Sequence, residues 1–112
     1  MAKIICIKKE NLIKLGYNDL EDWLNKDKNH IYIGRDMSFY VKGATKSKWH
    51  NPFTIKQHGK DKCLELYKEY MTSNKELMLQ LFELKGKTLG CWCSNQEECH
   101  GGILMNLLEK ID

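Results

Sequence analysis

Apolar and polar positions divide the chain into short strand-like runs and longer helical ones. Lys3 to Ile7 is a β-rich apolar run and predicts a buried strand. Residues 18–26 carry Leu20, Trp23 and Leu24 on one helical face, with Asn18 placed to cap that helix. A second strand is expected at His30 to Gly34, and a short third at Phe39 to Val41. From Lys42 to Pro52 the periodicity gives way to Gly, Ser, Thr, Lys and Asn, the composition of a loop. Pro52 pushes Asn51 toward an extended backbone. Between about Lys60 and Thr72, Cys63, Leu66, Tyr67, Tyr70 and Met71 share one face. Ser73 is positioned to cap the next helix, in which Leu77, Leu81 and Leu84 recur until Gly86 stops it. Thr88 to Cys93 reads as a strand. After a polar loop, a last helix from about His100 to Lys110 has a core stripe of Ile103, Leu104, Leu107, Leu108 and Ile111.

Strands separated by helices predict an α/β fold. The expected form is a small single-domain sandwich over residues 1–112, with a short, mostly parallel sheet flanked by helices in a Rossmann-like arrangement. A length of 112 residues suits one modest core and is too short for two domains. In such sheets ligands gather at the carboxyl ends of strands, where loops lead into helices. Two segments fit that place, Lys46 to Phe53 and Cys91 to Gly102, and Arg35 directly follows a strand.

Charge and cysteine usage narrow the function classes. Eighteen Lys and Arg against fifteen Asp and Glu leave a net charge of +3, too weak an imbalance for a dedicated nucleic-acid binder. Basic residues concentrate only at Lys42, Lys46, Lys48, Lys56 and Lys60, which form either a phosphate-holding cluster or a solvated loop. Arg35 is the one arginine, and its planar fork suits bidentate pairing with a carboxylate or a phosphate. No apolar run approaches a membrane span, and the opening MAKIICIKKEN lacks the apolar stretch of a secretory signal. The expectation is a cytoplasmic protein without membrane contact. Five cysteines, an odd number without an export signal, argue against a disulfide framework. Cys6 and Cys63 read as small core residues.

Cys91, Cys93, Cys99 and His100 are open to three readings. Alternation along a strand points Cys91 and Cys93 to one face and Trp92 to the other, so that Cys99 and His100 can complete a tetrahedral zinc site. Alternatively, Cys99 and His100 begin a helix whose free N–H groups favour an anion or a thiolate, with Gly101 and Gly102 letting a ligand approach the backbone. In the third reading the cysteines pack in the core and His100 caps the helix. In the other segment, Lys46 and Lys48 suit phosphates and Asn51 a base or ribose edge, while Trp49 either stacks on a base or docks into the core. Phe53, Tyr67 and Tyr70 read as packing, His30 and His58 as surface or strand-end residues, and Glu97-Glu98 as a solvated loop.

Several motifs stand in sequence: Tyr32-Ile33-Gly34-Arg35, Ser47-Lys48-Trp49-His50-Asn51-Pro52-Phe53, Leu84 to Cys93 (LKGKTLGCWC), and Cys99-His100-Gly101. In this order they resemble the Domain of Unknown Function 4326 family, small proteins of bacteria, phages and other viruses, from about residue 29 to the end. The resemblance brings kinship but no established activity. This chain departs from the family pattern at His50, where glycine is usual, and at Gly102, where an acid is common. Its loop between Cys93 and Cys99 lacks the family's typical proline and is slightly longer. Loss of an acid at Gly102 is easier to reconcile with binding than with catalysis.

These readings lead to one expectation and two alternatives. The first is a protein that binds a nucleotide or nucleotide-derived metabolite between Arg35, Lys46, Lys48, Trp49, Asn51, Cys99, His100 and Gly101. It would act as a sponge for a nucleotide signal, given the family's phage and bacterial distribution. The second is an enzyme, a hydrolase or glycosyl-bond cleaving activity, using Cys99 or His100. The third is a zinc-stabilised interaction module built on Cys91, Cys93, Cys99 and His100. A homodimer or higher homo-oligomer is compatible with the chain's size.

Overall fold

The computed structural model describes residues 3–92 and 99–110. The elements run β1 (Lys3–Cys6), α1 (Lys9–Lys14), α2 (Leu20–Lys26), β2 (His30–Tyr32), α3 (Ile55–His58), α4 (Lys60–Ser73), α5 (Lys75–Gln80), a 3-10 turn (Leu81–Leu84), β3 (Thr88–Cys91) and α6 (His100–Lys110). The strands form one sheet in the order β1-β3-β2, and both pairings are parallel. Leu89 stands opposite Ile4 on one side and Ile31 on the other. The expected α/β layering with a parallel sheet is therefore present. Three strands in this order do not establish the Rossmann-like winding, which involves a longer strand series.

Alternation of side chains across the strands sorts the core into two layers. On one face Ile4, Ile33, Leu89 and Cys91 pack with Tyr67 and Met71 of α4, Leu77 of α5, and Leu104 and Leu108 of α6. On the other, Ile7 and Tyr32 pack with Leu12 of α1 and Leu20 and Trp23 of α2, and Trp92 joins this layer. Gly90 lies in the middle of β3 because the layers leave it no room. A Cβ there would sit 2.7 Å from Ile7 Cγ2 and 2.8 Å from the Trp23 ring.

Local chemistry shifts several expected boundaries. Asp19, not Asn18, caps α2: its carboxylate accepts from the Asp22 N–H at 2.8 Å, while Asp22 in turn accepts from the Asn18 N–H. Asn74, not Ser73, caps α5 by accepting from the Leu77 N–H at 3.1 Å. The expected strand at Phe39–Val41 is instead a turn closed by Tyr40 and Val41 N–H groups onto Met37 O. Phe39 is 92% and Tyr40 79% exposed, so their β propensity finds no neighbouring strand to pair with. The turn of helix at Lys9–Lys14 was not anticipated; it buries only Leu12, which is too little periodic signal to read. Cys6 is only half-buried, whereas Cys63 is buried as expected. Cys93, Glu97, Glu98 and Ile111 lie outside the described residues.

Candidate functional site

The carboxyl ends of β2 and β3 open into a cleft of about 380 Å³. Gly34, Arg35 and Met37 enter it from the segment after β2, and Asn51 and Phe53 from the proline loop. Lys60, Cys63 and Leu64 of α4, with Trp92 and His100, complete the lining. Lys60 and His100 are the first residues of α4 and α6. Two helix starts, each with a partial positive potential, thus border the same space.

The Tyr32-Ile33-Gly34-Arg35 motif builds one wall. Tyr32 is buried, and its hydroxyl donates to Arg35 O at 2.5 Å while accepting from Trp92 Nε1 at 2.8 Å. A side chain at Gly34 would collide with the Tyr32 ring and hydroxyl, so glycine is what allows the ring to fold under this wall. Burial raises the Tyr32 phenol above its ordinary range, which keeps it protonated as a donor to Arg35 O. Arg35 is exposed, and among the described residues its guanidinium has no ion pair or hydrogen bond.

The opposite wall is tied together by Asn51 and Cys63. The Asn51 amide oxygen accepts from the Phe53 N–H at 3.0 Å, and its nitrogen donates to Cys63 Sγ at 3.3 Å. The Cys63 thiol donates to Phe53 O at 3.3 Å. Phe53, expected in the core, is instead half-buried against the cleft, edge-on to Tyr70 and His58. The proline loop places it at the front of α4.

His100 closes the back. Its Nε2 lies 2.7 Å from Ile33 O, and a carbonyl can only accept, so Nε2 carries the proton. The other nitrogen, Nδ1, faces Cys99 Sγ at 3.8 Å, and the ring lies edge-on to Tyr67. Cys99 is 1% exposed and sits 2.9 Å from Cys91 Sγ. Cys91, Cys99 and His100 therefore do gather, with Cys91 and Trp92 on opposite sheet faces as alternation required. With Nε2 bonded to Ile33 O, only Nδ1 is left to serve as a metal ligand. Among the described residues, no group of three or more His, Cys, Asp or Glu side chains is arranged to hold a metal.

Of the sequence candidates, Arg35, Asn51, His100 and, from the lysine cluster, Lys60 line the cleft, and the others are placed elsewhere. Trp49 is 3% exposed, packed in the core below Lys48, and its carbonyl accepts from the Tyr67 hydroxyl at 2.7 Å. It has no open face on which a base can stack. Lys48 reaches Gln80 and Glu83, the latter at 2.8 Å. Lys46 borders a separate shallow depression with Ser47 and His50. Lys42 pairs with Glu21 at 3.3 Å, so the lysine cluster read from the sequence is split: Lys60 lines the cleft and Lys56 shares a shallow depression with Arg35. Cys99 lies behind the wall. Gly101 faces the sheet: a Cβ there would meet the Cδ1 atoms of Ile4 and Ile33 at 3.0 and 3.1 Å. Its small size serves helix-to-sheet contact and gives no ligand access to the backbone.

Met37, Cys63, Leu64 and Trp92 were not singled out for this role, whereas Lys60 belonged to the lysine cluster read as able to hold a phosphate. Trp92 carried a signal, being the residue of Cys-Trp-Cys on the other face of the strand. Met37 is two positions beyond Arg35. Cys63 and Leu64 carried none, because only the docking of α4 brings them here.

The profile of a family described as "Domain of unknown function (DUF4326)" matches residues 19–110. An uncharacterized protein, R718, of Acanthamoeba polyphaga mimivirus is 39% identical over 90 residues, covering 73% of this chain and 68% of that protein. No solved structure matches the chain. Among the described residues no helix is long and apolar enough to cross a membrane.

Proposed function

This chain belongs to the DUF4326 family, whose description names no activity, and from the cleft's geometry we propose that it binds a nucleotide or nucleotide-derived metabolite. The observation that carries this reading is the Arg35 guanidinium, without an ion pair among the described residues, at the mouth of a cleft walled by Met37, Phe53, Leu64 and Trp92. A phosphate suits the planar fork, with two helix starts nearby to favour negative charge. A flat heterocycle suits the aromatic and thioether walls. The volume falls in the range of about 300–1,000 Å³ typical of small-molecule sites.

Binding is favoured over turnover by the state of the two candidate catalytic groups. Cys99 is buried away from the cleft, and both His100 nitrogens face protein atoms. Neither is presented as a nucleophile or a base to a molecule in the cleft. With a relative in a giant virus, a protein that holds its ligand without consuming it would act by lowering the ligand's free concentration.

The test is intact mass under native and then denaturing conditions, followed by thermal shift against a panel of nucleotides. A native mass excess matching a nucleotide, or a nucleotide that raises the melting temperature, supports the reading. An excess of one zinc ion would instead support the Cys91, Cys93, Cys99 and His100 metal site. Product formation on incubation would favour the hydrolase, and no response to any nucleotide would defeat the proposal.

A further inference from the structure

Resting on that reading of the cleft, we infer that its ligand is a nucleoside monophosphate, recognised by its single phosphate and by the flatness of its base and taken with little regard to which base it carries. Side chains that could read a base edge already have partners within the protein. Asn51 holds Phe53 N–H with its oxygen and Cys63 with its nitrogen. Trp92 Nε1 donates to Tyr32, Cys63 donates to Phe53 O, and the two His100 nitrogens face Ile33 O and Cys99. Among the described residues, what remains toward the cleft besides the cations Arg35 and Lys60 is the faces and edges of Met37, Phe53, Leu64 and Trp92, and such surfaces hold any planar ring. Strong base discrimination needs several unsatisfied donors or acceptors that a wrong base would leave unpaired, and among the described residues the neutral side chains of these walls offer only the remaining capacity of the Asn51 amide.

The anion end is equally restrictive. Arg35 offers one fork, sufficient for one phosphate. Just beyond it stands Asp36, whose carboxylate is held below its ordinary pKa by hydrogen bonds from the Ser38 hydroxyl and N–H at 2.6 and 3.0 Å. A second or third phosphate extending that way approaches this exposed carboxylate, which the nearby Lys46 offsets only in part. Lys42 and Lys48 are paired on other surfaces, and Lys60, the other cation of the lining, already has an interaction within the protein. The volume of about 380 Å³ is near the lower end of ligand sites, which suits one nucleoside.

Equilibrium binding to AMP, GMP, CMP, UMP, adenosine, ATP and a cyclic dinucleotide tests this. The four monophosphates should agree within about tenfold, adenosine should bind at least about tenfold more weakly than AMP, and ATP and the cyclic dinucleotide should bind no tighter than AMP. Arg35→Ala, at an exposed position whose backbone oxygen alone is used by the fold, should bring AMP down to adenosine without lowering the melting temperature. A preference of about a hundredfold for one base, equal binding of adenosine and AMP, or tighter binding of ATP or the dinucleotide overturns the inference while leaving nucleotide binding intact. Binding of none of the seven overturns both.

Discussion

Tyr32→Phe removes a single oxygen from the wall that presents Arg35. The ring keeps its place under Gly34 and its edge-on contact with Trp92, with centroids 6.1 Å apart. Two hydrogen bonds are lost, to Arg35 O at 2.5 Å and from Trp92 Nε1 at 2.8 Å. A typical intramolecular hydrogen bond contributes about 0.5–1.5 kcal/mol net, and an abandoned buried partner costs more. Arg35 is exposed and Trp92 half-buried, so water can reach part of the abandoned pair. The expected loss is therefore about 1–2 kcal/mol. For a domain of this length that corresponds to a fall in melting temperature of roughly 4–8 °C. Urea unfolding followed by circular dichroism should show a lower midpoint with an unchanged slope, because the surface exposed on unfolding is the same. A variant melting within about 1 °C of the parent would refute the claim that this hydroxyl fastens the two walls together.

Three further outcomes follow from the fold. Gly90→Ala places a methyl 2.7 Å from Ile7 Cγ2 and 2.8 Å from the Trp23 ring. The overpacking, about 1–3 kcal/mol, should outweigh the roughly 0.5–1 kcal/mol that replacing a strand glycine returns, and urea denaturation should show a net loss. Asp19→Ala should cost about 1 kcal/mol as a lost helix cap, whereas Asn18→Ala should leave the melting temperature nearly unchanged; the reverse order would reinstate Asn18 as the cap. Burial raises the Tyr67 phenol far above its ordinary range, so the folded state holds this proton where the unfolded state releases it. Its contribution is complete below the unfolded value of about 10 and declines as pH rises beyond it. Unfolding free energy should accordingly drop above about pH 10, and Tyr67→Phe, though less stable at neutral pH for want of its bond to Trp49 O, should show a shallower drop.

Periodicity carried the elements whose burial is regular. The α4 face with Cys63, Tyr67 and Met71, the α6 stripe with Leu104, Leu107 and Leu108, and the alternation through Leu89, Gly90 and Cys91 were legible because one side of each element meets the core. The location of the cleft at the ends of β2 and β3, and the place of Arg35 and His100 in it, also followed from strand-to-helix junctions.

Other features depended on partners distant in the chain. Trp49 had equal claim to a ligand or to the core until Tyr67, eighteen residues away, took its carbonyl. Lys48 looked available until Gln80 and Glu83 came within reach. Gly101 suggested room for a ligand, but the space is filled by Ile4 and Ile33 from two other strand segments. Phe53 has the composition of a core residue and lines the cleft because Cys63 and Asn51 hold its backbone there. Sequence alone determined the buried faces of the regular elements and the strand ends at which the cleft opens, since both depend on local period and composition. Which face each loop side chain presents was decided by tertiary contacts, because a polar or aromatic group turns toward whichever partner the packed helices bring near.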